Sequence, residues 1–202
     1  GLSDVHVYLH PADGAAGSAS GSQVASSTWK ANSTTLTAPS GTYDIRVVHG
    51  PVTVVMDQVD CKSSCTVDVP LATLTVNFPG MTDVHSYAHV SDGAPGTYGA
   101  QDSSSTWKAG NTTIVLLRGM YDIRVVHGPV QAVLDGIDCR AAACSATAPT
   151  ATLTVNFPGM SDVHTYAHVN DGAAGTFGAQ DTSSTWKAGT TSMVLLQGMY
   201  DV

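Results

Sequence analysis

The chain contains no glutamate. All sixteen acidic side chains are aspartates, and only eight lysines and arginines accompany them in 202 residues, a formal charge of −8. A surface this poor in cations offers no basic patch, which argues against nucleic acid and anionic membrane as partners. Scarce Glu and Lys also remove the residues that sustain exposed helix, whereas Thr, Ser, Val and Gly favour strand and turn. No apolar run approaches the roughly 20 residues of a membrane-spanning helix, so no membrane insertion is expected. A signal peptide is lacking too, and a secreted form would have lost it or carry it upstream. The sequence also has no G-x-S-x-G elbow, H-E-x-x-H helix, P-loop, paired glutamates or C-x-x-C-H haem motif, and its many Ser and Thr have no base at a fixed spacing. No enzyme is expected.

What is present is repetition. Asp4-Val5-His6-Val7-Tyr8-Leu9-His10 returns as Asp83-Val84-His85-Ser86-Tyr87-Ala88-His89 and again as Asp162-Val163-His164-Thr165-Tyr166-Ala167-His168. Leu2, Met81 and Met160 open equivalent segments 79 residues apart, and the three Trp (Trp29, Trp107, Trp186) recur with nearly the same spacing. The reading is two full modules, residues 1–80 and 81–159, and a partial third, 160–202, completed by further chain or by a neighbouring subunit. The third ends at Asp201-Val202, where the others continue into Arg46-Val47-Val48-His49 and Arg124-Val125-Val126-His127. That leaves strand edges and an apolar face to be covered. Modules of this size bury a modest core and need a staple or a neighbour.

The staple is visible in the cysteines. Cys61 and Cys65 are four apart, Cys139 and Cys144 five apart, at the same place in each module. Disulfides tolerate such variation in loop length because only the ends must meet, whereas a zinc site is more exacting about spacing. Two local disulfides are expected, and with them an oxidising, extracellular compartment.

Residues 72–78 and 151–157 alternate apolar and polar and end at Pro79-Gly80 and Pro158-Gly159, so each reads as a strand closing its module. Residues 83–90 form the next strand, and residues 97–108 a polar edge. Residues 112–117 and 121–127 read as a hairpin bent at Gly119, and residues 130–134 as a strand ending in a tight Asp135-Gly136 turn. Six or seven short strands per module make the fold class all-β, with tandem Ig-like or prealbumin-like β-sandwiches of period about 79.

The run from Leu116 through Gly119 and Tyr121 to Val125 resembles the G-x-Y-x-V-x-V hairpin of prealbumin-like and carboxypeptidase-regulatory-like sandwich repeats. Arg46-Val47-Val48-His49 and Asp162 to Tyr166 also resemble bacterial and archaeal surface domains that carry an R-V-x-H…V-D-V-Y pattern, although the spacing between the two elements differs here. The resemblance covers the module loosely. It implies a β-sandwich of a surface protein and carries no catalytic residue across.

Histidine is the candidate ligand. In a strand, His85, Tyr87 and His89 share one face, as do His6 and His10, and His164 and His168. If His127 or His49 joined them from a neighbouring strand, three imidazoles would suit Cu or Zn. Against this, His at i and i+4 of a strand lie about 13 Å apart. The plainer expectation is a polar face packing against a neighbour. Eight histidines beside eight Lys and Arg also imply that acid below about pH 6 changes self-association. Asp13-Gly14, Asp92-Gly93 and Asp171-Gly172 offer oxygen ligands for calcium but lack a full calcium-loop pattern, and read better as turns. Trp107-Lys108 reads as a Trp packed at the sandwich end beside a snorkelling Lys. Asn32 and Asn111 begin N-glycosylation sequons at matching positions.

Together these point to a structural tandem-repeat protein of an extracellular filament or cell-surface layer, with itself as main partner. The alternatives are a secreted metal-binding module using the His/Tyr face and an adhesin for glycans using the Trp loops.

Overall fold

A chain so rich in β-branched residues and so poor in helix formers folds as strands alone. A computed structural model describes all 202 residues, and in it sixteen strands form five sheets with no helix. The first region contains β1 (Val5–Pro11), β2 (Ala25–Ser26), β3 (Gly41–His49) and β4 (Val52–Cys61) in one sheet of order β2-β1-β3-β4. The second contains β5 (Leu71–Phe78), β6 (Val84–Val90), β7 (Gln101–Ser104), β8 (Gly110–Leu117), β9 (Met120–His127), β10 (Val130–Asp138) and β11 (Ala143–Thr147). These make two sheets, β10-β9-β6-β7 and β11-β5-β8. The third contains β12 (Thr150–Phe157), β13 (Tyr166–Val169), β14 (Gln180–Ser183), β15 (Gly189–Leu196) and β16 (Tyr200–Asp201), in sheets β12-β15 and β14-β13-β16.

The second region shows why alternation becomes a core. Every second residue of β5, namely Ala72, Leu74, Val76 and Phe78, points inward and is fully buried. They meet Ile114 and Leu116 of β8 beside them and Val84, Ala88, Ile123 and Val125 of β6 and β9 across the gap. Each such aliphatic or aromatic side chain contributes roughly 1.5–3 kcal/mol by leaving water. Tyr121, also buried, fixes the crossing between the layers: its hydroxyl donates to the Leu117 carbonyl at 2.7 Å. Tyr43 and Tyr200 do the same to Pro39 and Leu196, at 2.5 and 2.8 Å. This is the tyrosine corner that β-sandwiches use where the chain changes sheet.

Pairing corrects three sequence expectations. First, β5 bonds antiparallel to β8 and parallel to β11, and β12 bonds to β15. Residues 71–78 and 150–157, read as strands that close their modules, therefore pair with strands that follow them. Alternation identifies a strand but does not name its partner. Second, residues 112–117 and 121–127 form no hairpin. Although Gly119 separates them closely, β8 joins one sheet and β9 the other. Third, Asp135-Gly136 does not end a strand. β10 runs on to Asp138 through a bulge between Leu134 and Ile137, and the Gly136 N–H donates to Asp122 at 2.8 Å.

Both disulfides form, Cys61–Cys65 and Cys139–Cys144, each with Cα atoms 5.2 Å apart. Such bonds persist in oxidising surroundings.

Candidate functional site

Three copies of one aromatic row lie on the outer face of the sheets. Val84, Ser86 and Ala88 of β6 point inward, and period two turns His85 and Tyr87 outward. The imidazole of His85 stacks on Tyr87, with ring centres 4.2 Å apart, and Trp107 leans on its other side at 5.1 Å. His89 follows Tyr87 at 6.4 Å and is capped by Tyr98 at 4.2 Å. Arg124, directly opposite Tyr87 in the β6–β9 register, places its guanidinium over that ring at 4.3 Å. The first region repeats the row as Trp29, His6 and Tyr8, with Arg46 over Tyr8 at 4.2 Å. The third repeats it as Trp186, His164, Tyr166, His168 and Phe177.

The tryptophans do not pack at a sandwich end, contrary to expectation. Trp29, Trp107 and Trp186 are 54, 54 and 66% exposed. The backbone holds them there: Lys30, Lys108 and Lys187 each form an isolated bridge to Val5, Val84 and Val163 respectively. The bridge ties each Trp-Lys pair against the first strand of the motif, which leaves the indole beside the histidine and half in water.

The aspartate that opens each motif is not a strand residue either. Asp4, Asp83 and Asp162 adopt left-handed conformations, with φ of 54°, 54° and 56°. Asp tolerates this region better than most residues, and it turns the chain into the strand.

No group of three or more His, Cys, Asp or Glu side chains comes within range of one ion. Within the row, a tyrosine separates the two imidazoles. His89 and His168 have Nδ1 2.9 Å from the carbonyls of Gly99 and Gly178, and His10 has Nδ1 3.2 Å from that of Gly21. A carbonyl only accepts, so each Nδ1 carries the proton and donates. The expected third ligand lies on the wrong face. His127 pairs with inward Val84, one residue out of phase with His85, and His49 pairs with inward Val5, one out of phase with His6. A one-residue offset in a strand changes the face.

His49 and His127 serve the boundaries between regions. His49 Nδ1 lies 2.7 Å from the Asp102 carboxylate of β7, and His127 Nδ1 lies 2.8 Å from Asp181 of β14. Both carboxylates have fully buried side chains. Burial pushes the Asp102 carboxyl up from its ordinary range, and the hydrogen bond that the His127 imidazole donates to Asp181 raises that imidazole. Gly50 and Gly128 follow the histidines at φ of 50° and 51°, and a Cβ there would meet Asp102 or Asp181 at 3.2 or 3.0 Å. Glycine is thus required twice over, by conformation and by space. A polar cavity of about 320 Å³ lies beside His127, lined also by Met81, Thr182, Lys187 and Thr191. Sequence reasoning missed both aspartates. Their recurrence 79 apart was the available clue, blurred because Val24 occupies the matching place in the first region.

Asp13, Asp92 and Asp171 act as turn formers. Each accepts the N–H two residues on, from Ala15, Ala94 and Ala173. The Ser20 hydroxyl and then the Ala15 N–H hold the Asp13 carboxyl below its usual range, and the Ala94 and Ala173 N–H groups do so for Asp92 and Asp171. Behind two of these loops sit buried aspartates that sequence reasoning also missed. Asp44 accepts from the backbone of Asp13 and Gln58, and Asp122 from Asp92 and Gly136. Each ties the loop after the histidine strand to the following hairpin. Asn32 and Asn111 are both exposed.

No family model, curated protein or solved structure matches this chain.

Proposed function

We propose that the chain is a structural repeat protein of an extracellular filament or cell-surface layer, built of tandem Ig-like or prealbumin-like sandwiches with a period of about 79 residues. It self-associates through these modules and has no catalytic role. The observation that carries the reading is the recurring boundary: His49–Asp102 against Gly50, then His127–Asp181 against Gly128. Identical contacts at successive boundaries repeat one rotation and one translation, which is how a one-dimensional array grows. The two disulfides suit an oxidising, extracellular setting. The exposed Asn32 and Asn111 sequons fit glycosylation on the outside of such an array.

Negative-stain electron microscopy and sedimentation of the concentrated chain test this reading. Filaments or end-to-end oligomers are expected, and uniform monomers at every concentration would overturn it.

A second reading has its own support. The three half-exposed tryptophans recur at module spacing beside stacked His and Tyr, a surface on which glycan rings can stack. A glycan array with wild type and Trp107→Ala scores it, and equal binding by both proteins rejects it. The metal-binding reading rests only on pairs of histidines brought by separate molecules. Metal analysis of purified chain, with His85→Ala and His89→Ala as controls, decides it.

A further inference from the structure

The chain has sixteen aspartates, yet of its eight lysines and arginines only Lys62 and Arg140 reach a carboxylate. Lys187 reaches none, and it lines the cavity of about 320 Å³ where the second region meets the third. The second region contributes residues 80–82 and His127, and the third contributes Lys187 with parts of β14, β15 and the link between them. Seven of the thirteen lining residues carry a hydroxyl, and none is an aspartate. Ser184 accepts the Thr165 N–H and Ser192 bonds Thr154, but the Thr191 hydroxyl meets no protein group although Thr191 is only 5% exposed. A hydroxyl so buried is normally hydrogen-bonded, so this one stands ready on the cavity wall as donor and acceptor. His127 spends Nδ1 on Asp181 and keeps Nε2 without a protein partner. That bond is the main reason the imidazole holds its proton more tightly than usual; Asp181 and Asp83 also attract the charged ring, and burial opposes them. The charged groups around the ring are thus Asp181 on β14, Asp83 ahead of β6 and Lys187 ahead of β15, and neither carboxylate belongs to the lining.

We propose that this cavity binds a phosphorylated or sulfated sugar, with Lys187 and His127 Nε2–H on the oxyanion and the hydroxyls of Thr82, Thr182, Thr185 and Thr191 on the sugar. An ammonium and an imidazolium with no carboxylate beside them in the lining favour an anion. Both donate charge-assisted hydrogen bonds, roughly twice as strong as neutral ones. A single inorganic ion would leave most of the space unfilled, because about 320 Å³ already lies within the roughly 300–1,000 Å³ of small-molecule sites. Hydroxyl side chains match the hydroxyls of a sugar, since each can donate and accept. The walls belong to two regions, so the ligand ties one region to the next. Free energy of binding then adds to the stability of the boundary that the His127–Asp181 pair already holds. The site goes beyond the structural reading above and does not require chains to associate.

The test titrates the 202-residue chain with glucose 6-phosphate and with galactose 6-sulfate, followed by amide chemical shifts and calorimetry. At least one ester should saturate, with shifts centred on residues 80–82, 127 and 182–194. The two esters separate a phosphate source from a sulfate source, and saturation by either supports the site. Glucose and inorganic phosphate should each bind more weakly than that ester. Lys187 is exposed, so Lys187→Gln should fold as wild type and weaken binding about tenfold, the low end for a hydrogen bond to a charged group. Thr191→Val keeps the shape of the side chain and should weaken binding by a smaller factor. Lys108→Gln, at the matching place of the first boundary, should leave the shifts at residues 182–194 as they are. No saturation by either ester, equal binding by glucose or inorganic phosphate, or shifts away from this boundary overturns the proposal. So does full affinity in Lys187→Gln or Thr191→Val. Chains that bind an ester yet stay monomeric at every concentration sink the structural reading and leave this site standing. Filaments that bind neither ester do the reverse.

Discussion

The first and second regions repeat one sequence pattern, yet the first forms four strands and the second seven. Where β5 is present, its flanks become β8 and β11, sixteen buried residues close into one cluster, and Ile114 is 5% exposed. Where its equivalent is absent, the cluster shrinks to six buried residues, and one of those, Leu117, is supplied by the neighbouring region. The flanking segments form no strand there, and their sequences also differ: residues 34–39 share only Thr34 and Thr35 with residues 112–117 and end in Pro39, and residues 66–69 share none with residues 145–148. Lost pairing and changed residues both weaken strand character at these positions. Edge segments without a partner leave their N–H and C=O groups to water, and β-propensity alone does not hold them extended.

Amide exchange gives the sharpest view of this difference. Residues 110–117 and 143–147 should exchange orders of magnitude more slowly than residues 34–39 and 66–69, because their opening requires loss of the second region's core. Equal rates in the two pairs of segments would erase the distinction. Next in size, Ile114→Ala should cost about 2–5 kcal/mol of the second region's stability in urea unfolding, as for other buried large-to-small changes. Leu36→Ala at the matching, half-buried position should cost well under half as much. A smaller contrast concerns the disulfides. Each closes a short loop and contributes about 2 kcal/mol by restricting the unfolded chain. Cys139 is fully buried while Cys65 is exposed, so timed alkylation and mass analysis under dithiothreitol should show Cys61–Cys65 reduced first.

The smallest effect is the pH response at the second boundary. The His127 imidazole is raised in the folded chain by its bond to Asp181, with Asp83 adding a lesser attraction. A raised histidine stabilises fully below its unfolded value near 6.5, and the benefit is lost as pH rises through the higher folded value. Melting followed from pH 6 to pH 9 should therefore show a modest loss of stability that His127→Asn abolishes. A wild-type profile that rises over that range would contradict the ion pair.

Some of this was legible in the residues and some was not. The alternation of Ala72, Leu74, Val76 and Phe78 showed a strand, and the repeated His-x-Tyr-x-His showed a polar face. Close cysteine pairs showed two disulfides. The aromatic row was read only by half: His85, Tyr87 and Trp107 were singled out, but the placing of Arg124 over Tyr87 depends on cross-strand register. Asp102 and Asp181 drew no attention, because a lone aspartate in a polar edge strand looks solvated until another region covers it.

By itself, the sequence determined the all-β class, the period of the repeat and the covalent staples, because strand alternation, repetition and cysteine spacing are local properties. The tertiary structure alone decided which strand pairs with which and which face each histidine takes. Those depend on hydrogen-bond partners far away in the chain, and a shift of one residue in register turns a ligand toward the opposite side of the sheet.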